Sequence, residues 1–405
     1  MSLRPRIALL LMSAAPFVLA GWGQIAKPAE SWTLVVSGAT KGYLAPCGCT
    51  KPMSGGIRRR ASVIQAISKA NDLVVELGPL TGEPGRQSEI KAETLAQSLK
   101  TMRTDVVALL KSDIQLGDGV LSSVARLSGA QLLRGTPDEY ESGDGWKIAT
   151  DLGDLSVEGM VARAQNFVRS KESGEALIYI TGLGKEAAAQ FAAQVPELDV
   201  VVYASSSNPE RQAVQVGKTW LVSPADEGKF VVSLRYTGDR FEAPVVYGLG
   251  PDIHDETTVA RYYDQYLDRL RVEKLVEKMP KISSDDYAGT EKCRSCHESA
   301  YQVWEGSKHS NAWATLKADQ HDADPDCVSC HTVGIESTGG FVAEEKTPHL
   351  TNVGCESCHG AGATHIAAPE QVKMPKVGKD SCAPCHRLDH SPNFKYPEYW
   401  DKIKH

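Results

Sequence analysis

The chain has 405 residues, 41% hydrophobic and 23% charged, a globular composition long enough to bury more than one core. Its formal net charge of -7 and lack of a long basic run argue against a nucleic-acid partner held by phosphate neutralisation. Ten cysteines would ordinarily suggest disulfides in an exported chain, but eight of them fall in one repeated pattern.

At the amino terminus Arg4 and Arg6 precede an apolar run from Ile7 to Ala20, with Val18 and Ala20 as the small residues a signal peptidase prefers. A signal peptide over residues 1–20 and a periplasmic or extracellular location are expected. An uncleaved anchor is the alternative, although Pro16 and the short run disfavour a spanning helix. No later apolar run is long enough to cross a bilayer, so no membrane span is expected after cleavage.

From Ser31 to Leu249 the runs TLVVSG, DLVVEL, DVVALL, ALIYITG, DVVVYASS, KTWLVSP and KFVVSLRYTG alternate with helical patterns. That rhythm predicts an α/β domain with a substantial sheet over residues 31–250. Within it, Gly42-Tyr-Leu-Ala-Pro-Cys47-Gly-Cys49 followed by Gly55-Gly56-Ile-Arg58-Arg59-Arg60 resembles the 5'-nucleotidase-like branch of the metallophosphoesterases. The resemblance implies a four-layer α-β-β-α sandwich, whose active members hold two metals with Asp, His and Asn side chains at strand ends. Here those places read Ser37-Gly38-Ala39, Gly78-Pro79, Lys111-Ser112-Asp113, Thr181-Gly182 and Ala204-Ser205-Ser206-Ser207, with no histidine. A dinuclear hydrolase needs several anionic or imidazole ligands, so a non-catalytic binding or docking module is expected. Glu76 and Asp113 read as solvated or structural carboxylates, and Arg58, Arg59 and Arg60 as a solvated charge run. Cys47 and Cys49 leave three readings open: a local disulfide, a metal site, or pairing across an interface.

An amphipathic stretch from Asp255 to Met279, stopped by Pro280, predicts a connecting helix in a linker over 251–285. His254, at its start, needs no functional reading.

Residues 286–405 carry Cys293-Arg-Ser-Cys296-His297, Cys327-Val-Ser-Cys330-His331, Cys355-Glu-Ser-Cys358-His359 and Cys382-Ala-Pro-Cys385-His386. In a c-type haem site two thiols form thioethers to the porphyrin vinyl groups, and the adjacent histidine is placed against one face of the iron. Four such motifs predict four covalently attached haem c groups. Paired zinc ribbons are the alternative, but zinc needs no histidine after every cysteine pair. Thioredoxin-type redox chemistry uses one pair at a strand–helix junction, not four in Gly- and Pro-punctuated sequence. Aliphatic residues are sparse here, so the porphyrins are expected to supply much of the apolar bulk and the segment to be largely unfolded without them.

Trp304-Glu-Gly-Ser-Lys-His309-Ser-Asn-Ala312, Val353-Gly-Cys355-Glu-Ser-Cys358-His359-Gly360-Ala-Gly362 and the closing Lys395-Tyr-Pro-Glu-Tyr-Trp-Asp-Lys-Ile-Lys-His405 resemble the tetrahaem cytochrome c-554 family. The resemblance implies a mainly α, loop-rich tetrahaem cytochrome c domain, His309, His365 and His405 as distal iron ligands, and a five-coordinate second haem at His331. A helical reading of 304–312 puts His309 beside an apolar surface. Gly360 and Gly362 permit a tight backbone that sends His365 to a neighbouring haem rather than to the iron of His359. Tyr396, Tyr399, Trp400 and Ile403 recur at helical spacing, as a final turn presenting His405 would require. His349 is the local residue placed to close the second haem, Met374 reads as packing or surface, and His321 and His390 as solvent-exposed. The expected function is electron transfer between redox protein partners, with docking through the amino-terminal domain. The alternatives are a haem-based reductase or oxidase of a small nitrogen or sulfur compound at an open iron, and a metal-dependent phosphoesterase.

Overall fold

The structure is a computed structural model and describes residues 31–46, 53–136, 140–143, 145–151, 153–204, 214–387, 391 and 393–405. The signal-peptide reading, Cys47, Cys49 and His390 lie outside the described residues.

Two six-stranded sheets form the amino-terminal region. The first half of the chain supplies β1 (Trp32–Gly38), α1 (Ile57–Ile67), β2 (Leu73–Leu77), α2 (Arg86–Thr101), β3 (Val106–Ala108), α3 (Lys111–Ile114), α4 (Asp118–Ser128) and β4 (Gln131–Leu133). There follow β5 (Tyr140–Gly143), β6 (Trp146–Thr150), α5 (Val157–Arg169), β7 (Ala176–Thr181), α6 (Lys185–Gln194), β8 (Val200–Tyr203), β9 (Val214–Val216) and β10 (Thr219–Val222). The chain then returns through β11 (Phe230–Tyr236) and β12 (Val245–Gly248) to α7 (Thr257–Glu273). The sheet orders are β12-β11-β1-β2-β3-β4 and β5-β6-β7-β8-β10-β9. β1 to β4 are parallel, as are β6, β7, β8 and β10, while β11, β12, β5 and β9 join antiparallel.

The period-2 alternation of the strands divides their side chains between two cores. Leu34, Val36 and Val75 point into one shared by both sheets, where they meet Ile148, Ile178, Ile180 and Val200. Val35, Val74 and Val107 point the other way, onto Ile64, Leu95, Leu99 and Leu121 of α1, α2 and α4. Leu177, Tyr179 and Val201 of the second sheet likewise cover Met160 and Phe167 of α5 and Phe191 of α6. β2 and β7 are buried along their whole length, as parallel strands covered on both faces must be.

Glu256 caps α7 by accepting from the Val259 amide at 2.7 Å. The helix stops at Glu273, where Lys274 turns left-handed at φ 54, rather than running to Met279 as the pattern suggested. Val259, Tyr263, Tyr266, Leu267 and Leu270 sit in the core with α1, α2 and α4, so α7 is packed into the α/β region.

Beyond β13 (Ser283–Asp286) the helices are short: α8 (Glu298–Glu305), α9 (Ala312–Ala318), α10 (Pro325–His331), α11 (Cys355–His359), α12 (Ala363–Ala367), α13 (Lys379–Cys382) and α14 (Tyr396–Trp400). β14 (Ser337–Gly339) pairs with β13. A small core of Val276, Trp313, Leu316, Val328, Val333, Ile335, Phe341 and Leu350 serves this segment. Among the described residues no helix is long and apolar enough to cross a membrane.

Candidate functional site

At the strand ends of the first sheet lies a buried ion pair. Glu76, near the end of β2, accepts from Ser37 Oγ at 2.6 Å and Thr40 Oγ1 at 3.0 Å, and Arg60 Nη1 donates to it at 3.1 Å. Arg60 and Glu76 are both fully buried, which corrects the reading of Arg58, Arg59 and Arg60 as a solvated run. Arg58 and Arg59 are half-buried and lie against Asp255. The cause is helical phase: Arg60 falls on the face of α1 that carries Ile57, Ala61 and Ile64 inward. Asp113, also buried, accepts from the Leu80 amide at 2.7 Å and the Leu110 amide at 2.9 Å. Burial raises its carboxyl to about 6 despite those bonds.

This arrangement does not fit two divalent ions. A guanidinium already neutralises Glu76, both oxygens of Asp113 hold backbone amides, and the lone histidine before the motifs, His254, is exposed. Among the described residues one group of three potential metal donors occurs, and it lies elsewhere, at His321, Asp324 and Cys327.

The haem-motif residues occupy single helical turns. α11 spans the whole third motif and α10 the second, and His297 and His386 donate their amides to the carbonyls of Cys293 and Cys382 at 3.0 and 2.9 Å. A helical turn puts the two thiols of a Cys-x-x-Cys on one face with histidine one residue on. None of the eight cysteines is in a disulfide.

Three pairs of imidazoles face one another. The ring centroids of His297 and His365 are 6.3 Å apart, those of His309 and His386 6.3 Å, and those of His359 and His405 5.9 Å. A metal between two imidazole nitrogens at about 2 Å each, with about 1 Å from nitrogen to ring centre on either side, separates centroids by roughly 6 Å. The residues therefore fit a metal held from two sides. His386 Nδ1 lies 3.2 Å from Ser391 Oγ, and in four rings Nδ1 donates to a backbone carbonyl: His331 to Ala312 O at 2.8 Å, His365 to Val372 O at 2.7 Å, His405 to Ile403 O at 3.0 Å and His359 to Pro375 O at 3.4 Å. Such bonds fix the tautomer and leave Nε2 for a metal. Burial holds His309, His331, His359 and His386 below the ordinary imidazole value, favouring the neutral ring.

Among the described residues no histidine ring faces His331. His349 is exposed on a 3-10 turn, Pro348–Leu350. His321 is not solvent-exposed as expected: it is half-buried, with Nε2 3.3 Å from Tyr263 Oη of α7. The stretch 304–312 is not one helix either. α8 ends at Glu305, and Ser307 starts a separate 3-10 turn, Lys308–Asn311, by accepting from the His309 amide at 3.2 Å. His309 is thus presented by a turn between two helices.

The motifs lie close together. Cys293 of the first lies near enough to Cys355 of the third for the two thiols to perturb each other, as does Cys330 of the second to Cys385 of the fourth. Cys358 of the third lies near enough to Cys382 of the fourth for their charges to interact. The resulting row is first, third, fourth, second. Sequence reasoning missed Glu356, an unremarkable spacer inside the third motif. Its buried carboxylate accepts from the amides of Ala288 at 2.9 Å, Gly289 at 2.8 Å and Gly362 at 2.7 Å, tying that motif to the approach of the first. Gly360, at φ 80, makes the turn that brings Gly362 back, the one local signal of this closure.

Residues 292–360 match the family described as cytochrome c554 and c-prime. Cytochrome c-554 of Nitrosomonas europaea is 38% identical over 91 residues, 19% of this chain and 39% of that protein. The C-type polyheme cytochrome OmcB of Geobacter sulfurreducens is 39% identical over 69 residues, 16% of this chain and 9% of that protein. The chain thus spans well under half the length of either relative. Among solved structures, the NAD nucleotidase NadN of Haemophilus influenzae is similar with a TM-score of 0.50 at 12% identity, over 66% of this chain and 65% of that one. The likeness is one of fold. A mixed-sheet α/β region of 5'-nucleotidase type precedes a c-554-like segment of helices and loops.

Proposed function

We propose that this protein is an exported tetrahaem c-type cytochrome that passes electrons between redox protein partners. The observation that carries the reading is the set of three facing imidazole pairs, each containing one motif histidine: His297 with His365, His386 with His309, and His359 with His405. Bound haem supplies one-electron oxidation and reduction. The chain's part is to hold three of the four irons from both sides, so that their coordination is unchanged between the two states. Cys293, Cys296, Cys327, Cys330, Cys355, Cys358, Cys382 and Cys385 provide the covalent attachments. The thiol contacts that line the motifs up as first, third, fourth and second support a continuous row of groups close enough to exchange electrons.

In this reading residues 1–20 are a signal peptide, 31–250 a non-catalytic four-layer α-β-β-α domain for docking, 251–285 the link, and 286–405 the tetrahaem domain. The Arg60–Glu76 pair disfavours phosphoester hydrolysis. Reduction or oxidation of a small nitrogen or sulfur compound is the second reading, favoured by one observation: no described histidine faces His331, which leaves one side of the second haem for a ligand. The pyridine haemochrome of the purified holoprotein, with its intact mass, tests the assignment. Four covalent haems per chain are expected; fewer would contradict it.

A further inference from the structure

The second motif is held differently from the other motifs. α10 carries Cys327, Cys330 and His331, and its N-cap, Asp324, is only 6% exposed. The Asp324 carboxylate accepts from the Asp326 amide at 3.1 Å, and its carbonyl accepts from the amides of Cys327 at 3.0 Å and Val328 at 2.9 Å. The same carboxylate also accepts from two side chains of the α/β region: Gln87 Nε2 of α2 at 2.8 Å, and Tyr266 Oη of α7 at 3.4 Å. One turn along α2 from Gln87, Lys91 pairs with Asp326, the second residue of α10. Arg271 of α7 reaches Asp322 at 3.2 Å, and Tyr263 reaches His321. Lys91, Tyr263, Tyr266 and Asp324 are buried, so the Tyr266–Asp324 contact is shielded from water, whereas Asp326, Asp322 and Arg271 reach the surface. The equivalent support of the third motif, Glu356, draws its donors from the haem-motif segment itself.

We propose that the α/β region is a clamp for the second motif, with Gln87, Lys91 and Tyr266 as positioning residues that set the environment of the haem attached at Cys327 and Cys330. This rests on the haem reading above. α10 is pinned at both ends: Asp324 and Asp326 by α2 and α7, and His331 by the Ala312 carbonyl. Its first turn cannot shift without breaking the contacts of Asp324 with Gln87 and Tyr266 and of Asp326 with Lys91. Partners that orient a metal's ligands tune affinity and potential through that orientation, and here those partners come from the neighbouring domain. The clamped motif is also the one whose histidine faces no other among the described residues. Anything that moves α2 or α7, such as a protein docked on the α/β region, would act on that haem ahead of the other three.

The test uses the full holoprotein with the double variant Lys91→Met, Tyr266→Phe, and Lys91→Arg as the conservative control. Spectroelectrochemical titration should move one of four midpoint potentials and leave three in place, with haem content unchanged. Amide hydrogen exchange over 324–331 should accelerate at least about tenfold while 355–359 is unaffected. Lys91→Arg, which keeps the charge and Tyr266, should leave both as in the unaltered protein. Unchanged potentials and exchange, or four potentials shifting together, would overturn the proposal. Should the double variant not fold, Asp326→Asn severs the same ion pair from a partly exposed position and is read by the same two measurements. Fewer than four haems in the unaltered protein would refute the haem reading instead. The exchange arm reports on the backbone of α10 and still decides whether the clamp exists.

Discussion

The two regions of this chain are ordered by different means. The α/β region buries whole strands, such as β2 and β7, between layers of aliphatic side chains, and its α7 is 17 residues long. In the c-554-like segment the longest helix, α8, has 8 residues, and the shared core is one small cluster around Trp313, Phe341 and Leu350. Helices that short are not stable alone, and a cluster of that size cannot hold them together. The first region has the core to fold on its own side chains, whereas the second has only that small cluster.

The comparison breaks most plainly if the segment is stable without haem. Limited proteolysis of haem-free chain should therefore leave residues 31–275 as a resistant fragment and degrade 286–405. A protease-resistant haem-free segment would overturn the contrast. Within the segment, the facing rings divide the effect by position. His365→Ala, His309→Ala and removal of His405 alone should each convert one haem from low to high spin, seen in the visible spectrum of the oxidised protein, with all covalent attachments retained. His349→Ala should change far less, since that ring faces none of the motif histidines.

The α/β region predicts smaller effects of another kind. Arg60→Met leaves Glu76 as a buried carboxylate with hydroxyl partners only, and should lower the denaturation free energy by about 3–5 kcal/mol. A loss near zero by chemical denaturation followed by circular dichroism would mean that water reaches the pair. The smallest effect is a pH dependence. Burial raises Asp113 to about 6, so between about pH 4 and 6 the folded state keeps a proton that the unfolded chain releases. That contribution is present at low pH and lost as pH rises through 6, by on the order of 2 kcal/mol. Asp113→Asn removes the titration, so the stability difference between wild type and variant should shift by that amount from pH 4 to 7. Parallel curves would contradict it.

The same division explains what the sequence made legible. The Val-, Ile- and Leu-rich runs became β1, β2, β3, β7, β8 and β10, because continuous apolar runs are how buried parallel strands read. One more such run became the antiparallel β11, buried between β1 and β12. The short or polar strands QLL, YESG, VQV and VVYG carry no such signal and exist only through their neighbours. Arg60 was misread because three successive arginines look alike until helical phase turns one of them inward. In the segment, each Cys-x-x-Cys-His is local and readable. The facing of His386 by His309 is tertiary, and the break of 304–312 into helix, turn and helix depends on Ser307 as a cap. Asp324 was invisible for a similar reason: its significance comes from α2 and α7, far away in sequence.

The central claim is that this chain holds four haems, three of them gripped between histidine pairs and one, at His331, facing no histidine among the described residues. Electron paramagnetic resonance of the oxidised holoprotein, with spins counted against haem content, tests it most directly. Three low-spin bis-histidine haems and one haem outside that class are predicted, with nitric oxide binding at the odd one after reduction. Four low-spin haems with no nitrosyl adduct, or a total below four, would contradict the account.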